Sequence, residues 1–187
     1  MILPIYVYGS DVLREKAKEV DVRAEEGLQE LIENMYATMK EADGVGIAAP
    51  QVGRSLRLLI VDGADLAEDM PKLAGFKRVM INPVLVEESE VSAEFSEGCL
   101  SVPNIHVDVV RPAVITVKYT NEKLEEVTES FSGFGCRMVQ HEMDHLDGVL
   151  FVDRATPIRK KMIHGKLTNI ANGKTHPHYK IVKKSKR

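Results

Sequence analysis

Early in the chain, one segment repeats its apolar side chains with helical spacing. Leu28, Leu31, Ile32, Met35 and Met39 fall at i, i+3, i+4, i+7 and i+11, a single helix face. Asp21 or a residue just after it is the expected N-cap, and Asp43-Gly44 the stop. Gly44-Val-Gly-Ile-Ala-Ala-Pro-Gln51 follows as an extended Gly/Ala loop, and Leu56–Val61 reads as a buried strand. Residues 63–76 carry glycine, proline and three acids, which suits a surface excursion. From 78 to 131 the pattern is β. Val79–Ile81 is halted by Asn82-Pro83 and resumes at Val84–Val86. Ile115, Val117 and Tyr119 alternate with Thr116 and Lys118, and Asn121-Glu122 turns into Leu124–Phe131. Phe134–Leu146 returns to helix, with Phe134, Met138, His141 and His145 near one face and Gly148 beyond its end. Thr156-Pro157 is an N-cap and N1 pair for a last helix bearing Ile158, Met162, Ile163, Leu167 and Ile170. Strands grouped ahead of a motif-bearing helix point to an α+β fold rather than alternating βαβ units.

Composition narrows the class. A chain of 187 residues predicts one domain, and 44% apolar with 28% charged residues excludes a disordered chain. No apolar run approaches the ~18 residues of a membrane span. The N-terminus lacks a basic region and a small-residue cleavage site, so a secretory signal is not expected. Cys99 and Cys136 cannot build a disulfide scaffold, and a reducing cytoplasm is the expected location. The net charge of −3 hides an asymmetry. Residues 159–187 hold ten Lys or Arg and no acid, while the rest hold fifteen basic and twenty-eight acidic side chains, a net of −13. Such a basic end either meets a polyanion or stays solvated.

The strongest chemical signal is His141-Glu142-Met143-Asp144-His145. Histidines at i and i+4 stand about 40° apart around a helix, so both imidazoles can face one metal ion. Glu142 sits one step round, able to reach a metal-bound water without being a ligand. Asp144, Asp147, Asp153 and His164 are third-ligand candidates by residue type. Cys99 in Glu97-Gly98-Cys99-Leu100-Ser101 is the distinctive one, because a thiolate with two imidazoles suits Zn²⁺ or Fe²⁺. Cys136 has no motif around it and reads as a small buried hydrophobe. Gly44-Val45-Gly46-Ile47-Ala48-Ala49 mimics a dinucleotide fingerprint, but a helix precedes it and Pro50 blocks a helix after it.

Gly44–Gln51, Glu97–Ser101 and Gln140–His145 together, in this order and spacing, resemble the three signature motifs of the peptide deformylases. Asp11-Val-Leu-Arg14 looks like that family's N-terminal region, and the resemblance covers most of residues 1–155. It implies antiparallel β-sheets packed around a central helix carrying the His-Glu-x-x-His motif, with a C-terminal helix. It implies a metal held by Cys99, His141 and His145. The metal would be Fe²⁺, one per chain, with Zn²⁺, Ni²⁺ or Co²⁺ able to substitute. Glu142 would be general base and acid for attack by a metal-bound hydroxide. Gln51 and the Leu100 N–H would form the oxyanion hole. Gly44, Val45, Gly46, Glu97 and Gly98 would line the substrate site, and Phe134 and Met138 the methionine pocket. Glu97 would pair with Arg111. The substrate would be the formyl-methionine end of nascent polypeptides, with formate released in the cytoplasm, no membrane involved, and ribosome contact through the basic C-terminal region. The expected division is a catalytic domain over 1–171 and a basic tail over 172–187. One position departs from the family pattern: His106 stands where many members place an arginine at the pocket mouth. Arg137 falls in the same stretch as Phe134 and Met138 and is unexpected in an apolar wall. Two other readings compete. A zinc peptidase of another lineage would need its third ligand downstream, and a non-enzymatic metal or ribosome-binding module would not use Glu142.

Overall fold

The computed structural model describes residues 1–182. In chain order its elements are β1 (Ile5–Tyr6), α1 (Leu28–Glu41), β2 (Gly46–Ala48), β3 (Leu58–Asp62), β4 (Lys77–Glu88), β5 (Ser92–Cys99), β6 (Val102–Pro112), β7 (Val114–Thr120), β8 (Glu126–Ser132), α2 (Gly133–Leu146), α3 (Pro157–Ala171) and β9 (Ile181–Val182). The unbroken apolar run of β3 has a simple cause, burial on both faces. Leu58 and Ile60 pack into a core with the α1 side chains Leu31, Ile32, Met35 and Met39. Leu59 and Val61 point the other way, into a core with Met138, Val139 and Leu146 of α2. A five-stranded sheet, ordered β2-β3-β4-β7-β8 and antiparallel throughout, thus lies with α1 on one face and α2 on the other. β7 shows clean alternation, with Ile115, Val117 and Tyr119 inward, because only its α2 face is covered.

β5 and β6 form a separate antiparallel hairpin. The β6 residues Val102, Ile105, Val107 and Val109 share a third core with Phe151, Val152 and the α3 residues Ile163, Leu167 and Ile170. The α+β class is therefore the one observed, with α2 between the large sheet and the hairpin. The structure adds a short parallel pairing of β1 with β9. Thr156 caps α3 by accepting from the Arg159 N–H, with Pro157 in the first helical position.

Three local expectations need correction. Asp21 does not cap α1. Its carboxylate accepts from the Arg23 N–H in a preceding turn, and left-handed Gly27 stands at the N-cap. Asn82-Pro83 does not halt a strand: β4 runs through it with a register shift between Ile81 and Val84. Ile158 and Met162 are not on the buried face of α3, where Ile163, Leu167 and Ile170 carry the packing. None of the described helices is long and apolar enough to cross a membrane.

Candidate active site

Cys99 closes β5, and Leu100-Ser101 make the two-residue turn into β6. His141 and His145 lie one helical turn apart on α2, both buried. Packing the hairpin against α2 brings the three together. The Cys99 Sγ lies 3.3 Å from His145 Nε2, and one donor atom from each of Cys99, His141 and His145 lies within 4.8 Å of the others. Among the described residues these are the one group of three or more Cys, His, Asp or Glu so arranged. The downstream candidates are engaged elsewhere or turned outward. Asp144 binds Arg111 and Arg154, Asp147 binds Arg57, Asp153 binds Arg14, and His164 is exposed on α3. One thiol and two imidazoles this close can share a transition-metal ion and leave a fourth position for water.

The surroundings fit a metal as well. His141 Nδ1 is 2.9 Å from Glu97 Oε2, a contact that fixes the ring and turns Nε2 toward Cys99. Glu97 is buried and takes three more charged contacts: from Arg111 Nε at 2.8 Å, Arg111 Nη2 at 2.9 Å and Arg137 Nη1 at 2.7 Å. Burial alone would raise its carboxyl, but the hydrogen bonds from His141 and Arg111 prevail and hold it well below the usual carboxylate range. Burial likewise opposes charge on His141, yet hydrogen bonds to Cys99 and Glu97 push that imidazole well above its ordinary value. His145 is held well below by burial and by the neighbouring His141 charge. The expected Glu97–Arg111 pair is thus present. Arg137, out of place in an apolar wall, aims its guanidinium at Glu97 and at the carbonyls of Ala93 and Val109. Glu97→Ala would leave two buried guanidiniums short of a partner. The expected cost is about 3–5 kcal/mol by denaturant unfolding, together with about 10–100-fold weaker metal binding through the freed His141 ring.

Glu142 faces the opposite wall. A Cβ on Gly46 would meet Glu142 Oε1 at 2.5 Å, so only glycine lets β2 approach the carboxylate this closely. Burial pushes the Glu142 carboxyl up to about 7, the range of a group that can take and return a proton at neutral pH. Its Oε2 is buried without a hydrogen-bond partner among the described residues, an orphan acceptor beside the Cys–His–His group. Gln51 is fixed by accepting from the Ala48 N–H at 2.8 Å. Its Nε2 points to Ser101 Oγ at 3.1 Å and Cys99 Sγ at 3.5 Å.

These groups open on a cleft of about 500 Å³. Gly44, Val45, Gly46, Gly98 and Leu100 border it, as do Phe134 and Met138; of the metal, catalytic and substrate-site residues that the resemblance implies, His145 alone stands behind the wall. His106 lies over Gly98, where a Cβ would come within 2.7 Å of its Nε2. Sequence reasoning missed one side of the cleft. His176, Pro177, His178 and Tyr179, from the segment set apart as a tail, border it too. No periodicity or motif marks them. Cys136 is buried, and its thiol is pushed up by burial, as a packing residue would be.

A buried carboxylate, a carboxamide donor and a Cys–His–His group in one cleft are the equipment of a metal-dependent amide hydrolase. The comparisons specify which. The family model described as polypeptide deformylase matches residues 2–161. A peptide deformylase of Christiangramia forsetii is 44% identical over 97% of this chain and 95% of its own length; one of Salinibacter ruber is 45% identical over 98% and 96%. The crystal structure of peptide deformylase from Thermus thermophilus superposes with a TM-score of 0.82 at 36% identity, covering 92% of this chain and 99% of that one. One from Legionella pneumophila gives 0.80 at 37%, covering 93% and 98%. The chain belongs to the polypeptide deformylase family, metal-dependent hydrolases that remove the N-formyl group from nascent chains.

Proposed function

We propose that deformylation in this chain is carried out by Cys99, His141 and His145 as metal ligands, Glu142 as general base and acid, and Gln51 with the Leu100 N–H as oxyanion donors. The observation that carries this reading is the convergence of Cys99, His141, Glu142, Gln51 and Leu100 on one cleft, with His145 behind its wall in reach of Cys99 and Glu142 buried against Gly46. Bound there, a divalent metal would supply Lewis-acid activation of a water molecule and of the formyl oxygen. Glu142 takes the proton from the attacking water. As the carbon–oxygen bond forms, the formyl oxygen gains negative charge, and Gln51 Nε2 and Leu100 N–H donate to it. The carbon–nitrogen bond then breaks, Glu142 returns the proton to the departing amine, and formate leaves. Phe134 and Met138 would receive the methionine side chain, and His106 would meet the residues after it. The metal would be Fe²⁺, a choice that rests on likeness to the family, since the one-thiolate, two-imidazole donor set suits Zn²⁺ equally. Zn²⁺, Ni²⁺ or Co²⁺ would be able to replace it.

The crowding of Gly46 and Gly98 by Glu142 and His106 supports a steric origin for selectivity. A formyl group presents hydrogen where an acetyl group presents carbon. Formyl-Met-Ala-Ser is therefore expected to release formate rapidly, while acetyl-Met-Ala-Ser is cleaved at least about 100-fold more slowly, a pair easily compared by appearance of the free amine. Equal cleavage of both would remove the steric account.

Residues 1–171 would form the catalytic domain, with the chain from 172 returning along its cleft through His176–Tyr179, and the protein would act where nascent chains emerge in the cytoplasm. The exposed basic side chains of α3, Arg159, Lys160, Lys161 and Lys166, support a ribosome contact through phosphates; Lys183–Arg187 lie outside the described residues. Binding to ribosomes should then weaken steeply between 50 and 200 mM salt in a sedimentation assay. Salt-independent binding would contradict a phosphate contact.

A further inference from the structure

Past α3 the chain turns back on the body. Thr175 is buried, His176–Tyr179 run along the cleft, and Ile181–Val182 pair with β1. Several contacts fasten this return segment. Ile5 N–H donates to Lys180 O at 2.9 Å, His178 Nε2 lies 3.2 Å from Asp43 Oδ2, and the Tyr179 hydroxyl donates to Leu100 O at 2.7 Å. Asp43 immediately precedes Gly44, and Leu100 follows Cys99. The segment therefore ties together the two loops that face each other across the cleft. Those loops also touch directly, since a Cβ on Gly44 would come within 2.8 Å of Leu100 Cδ1.

The Leu100-Ser101 turn is held from outside its own hairpin at three points. Ser101 O accepts from the Tyr8 N–H at 2.8 Å, Ser101 Oγ accepts from Gln51 Nε2, and Leu100 O accepts from Tyr179. Peptide planes are rigid, so the freedom of a two-residue turn lies in the φ and ψ of its residues; holding the Leu100 carbonyl restrains those angles and with them the tilt of the plane that carries the Leu100 N–H. Pairing of Cys99 with Val102 fixes the base of the turn, and Tyr179 fixes the carbonyl of the residue whose N–H matters. We infer that Tyr179 is a positioning residue for deformylation, holding the Leu100 turn so that the Leu100 N–H meets the oxyanion. The inference rests on the assignment of that N–H given above. Because the donor acts on charge that exists only in the transition state, a misaimed N–H lowers kcat and leaves substrate binding nearly unchanged.

The test is Tyr179→Phe in the full-length, Fe²⁺-loaded protein, with formyl-Met-Ala-Ser as substrate and metal content and melting temperature measured beside the kinetics. Phenylalanine keeps the ring's packing against the α1 core and removes only the hydroxyl. The expected result is a threefold to tenfold fall in kcat, about the worth of one neutral hydrogen bond, with KM within twofold and metal content unchanged. A fall in kcat of less than threefold overturns the inference whether or not the melting temperature drops, since a merely structural bond would act there. A raised KM with native kcat also overturns it and makes Tyr179 a wall of the cleft. Failure of the native protein to release formate overturns the proposed site as a whole, a result the native control reports separately.

Discussion

Cys99→Ala should lose the metal and, with it, all measurable deformylase activity. Cys99 stands at the end of β5 with its sulfur 3.3 Å from His145 Nε2, and among the described residues no other cluster of three metal-binding side chains exists. Two imidazoles remain in the variant, without the thiolate charge that suits a soft divalent ion. Loss of an outer-shell partner alone costs up to about 100-fold in metal affinity, so removal of a ligand should exceed that. The fold should survive. Cys99 is small and half-buried, and it packs only at the margin of the core that holds the buried Val102, Ile105, Val107 and Val109 of the hairpin. The check is metal per chain after dialysis, read beside a thermal melt of the metal-stripped native and variant proteins. Stoichiometric metal in Cys99→Ala would move the third ligand elsewhere and revive a downstream donor such as Asp144.

Glu142→Gln separates binding from chemistry. The carboxylate is not among the three clustered donors, so metal content should match the native protein. The amide has nearly the same shape, so the close approach of Gly46 to this side chain is kept. What disappears is a buried group held near neutrality that can accept a proton and return it. General acid–base catalysis is worth about 10²–10⁴-fold, and turnover should fall by at least that much with KM little changed. Native-like turnover in a metal-replete variant would remove Glu142 from the mechanism.

Much of this site could be read from local spacing, because its chemistry is carried by short segments. His141 and His145 are four residues apart, and a helix must then put them on one face. Glu97, Gly98, Cys99 and Leu100 are consecutive on one strand and its turn. The second layer was harder. Arg137 reads as a misfit in an apolar wall, and only the fold shows Glu97, forty residues earlier, as the charge it neutralises. Tyr179 was beyond sequence reasoning altogether, since its partner Leu100 lies 79 residues away and no pattern announces the contact. The fold shows the same division. The α1 face and the β7 alternation follow from periods of 3.6 and 2. The start of α1 does not, because Asp21 spends its carboxylate on a local turn. Nor does the continuity of β4. Asn82 adopts a φ of 51°, and its side-chain amide bonds both the N–H and the C=O of Val20. The resulting bulge accommodates Pro83, which has no N–H to give the ladder.

The most direct test is formate release from formyl-Met-Ala-Ser by the full-length protein in three states: anaerobically loaded with Fe²⁺, stripped by a chelator, and reloaded. Metal-dependent deformylation at this site predicts release at one metal per chain, loss on stripping and recovery on reloading. Formate release that ignores the chelator, or none from protein with its metal confirmed, would contradict it.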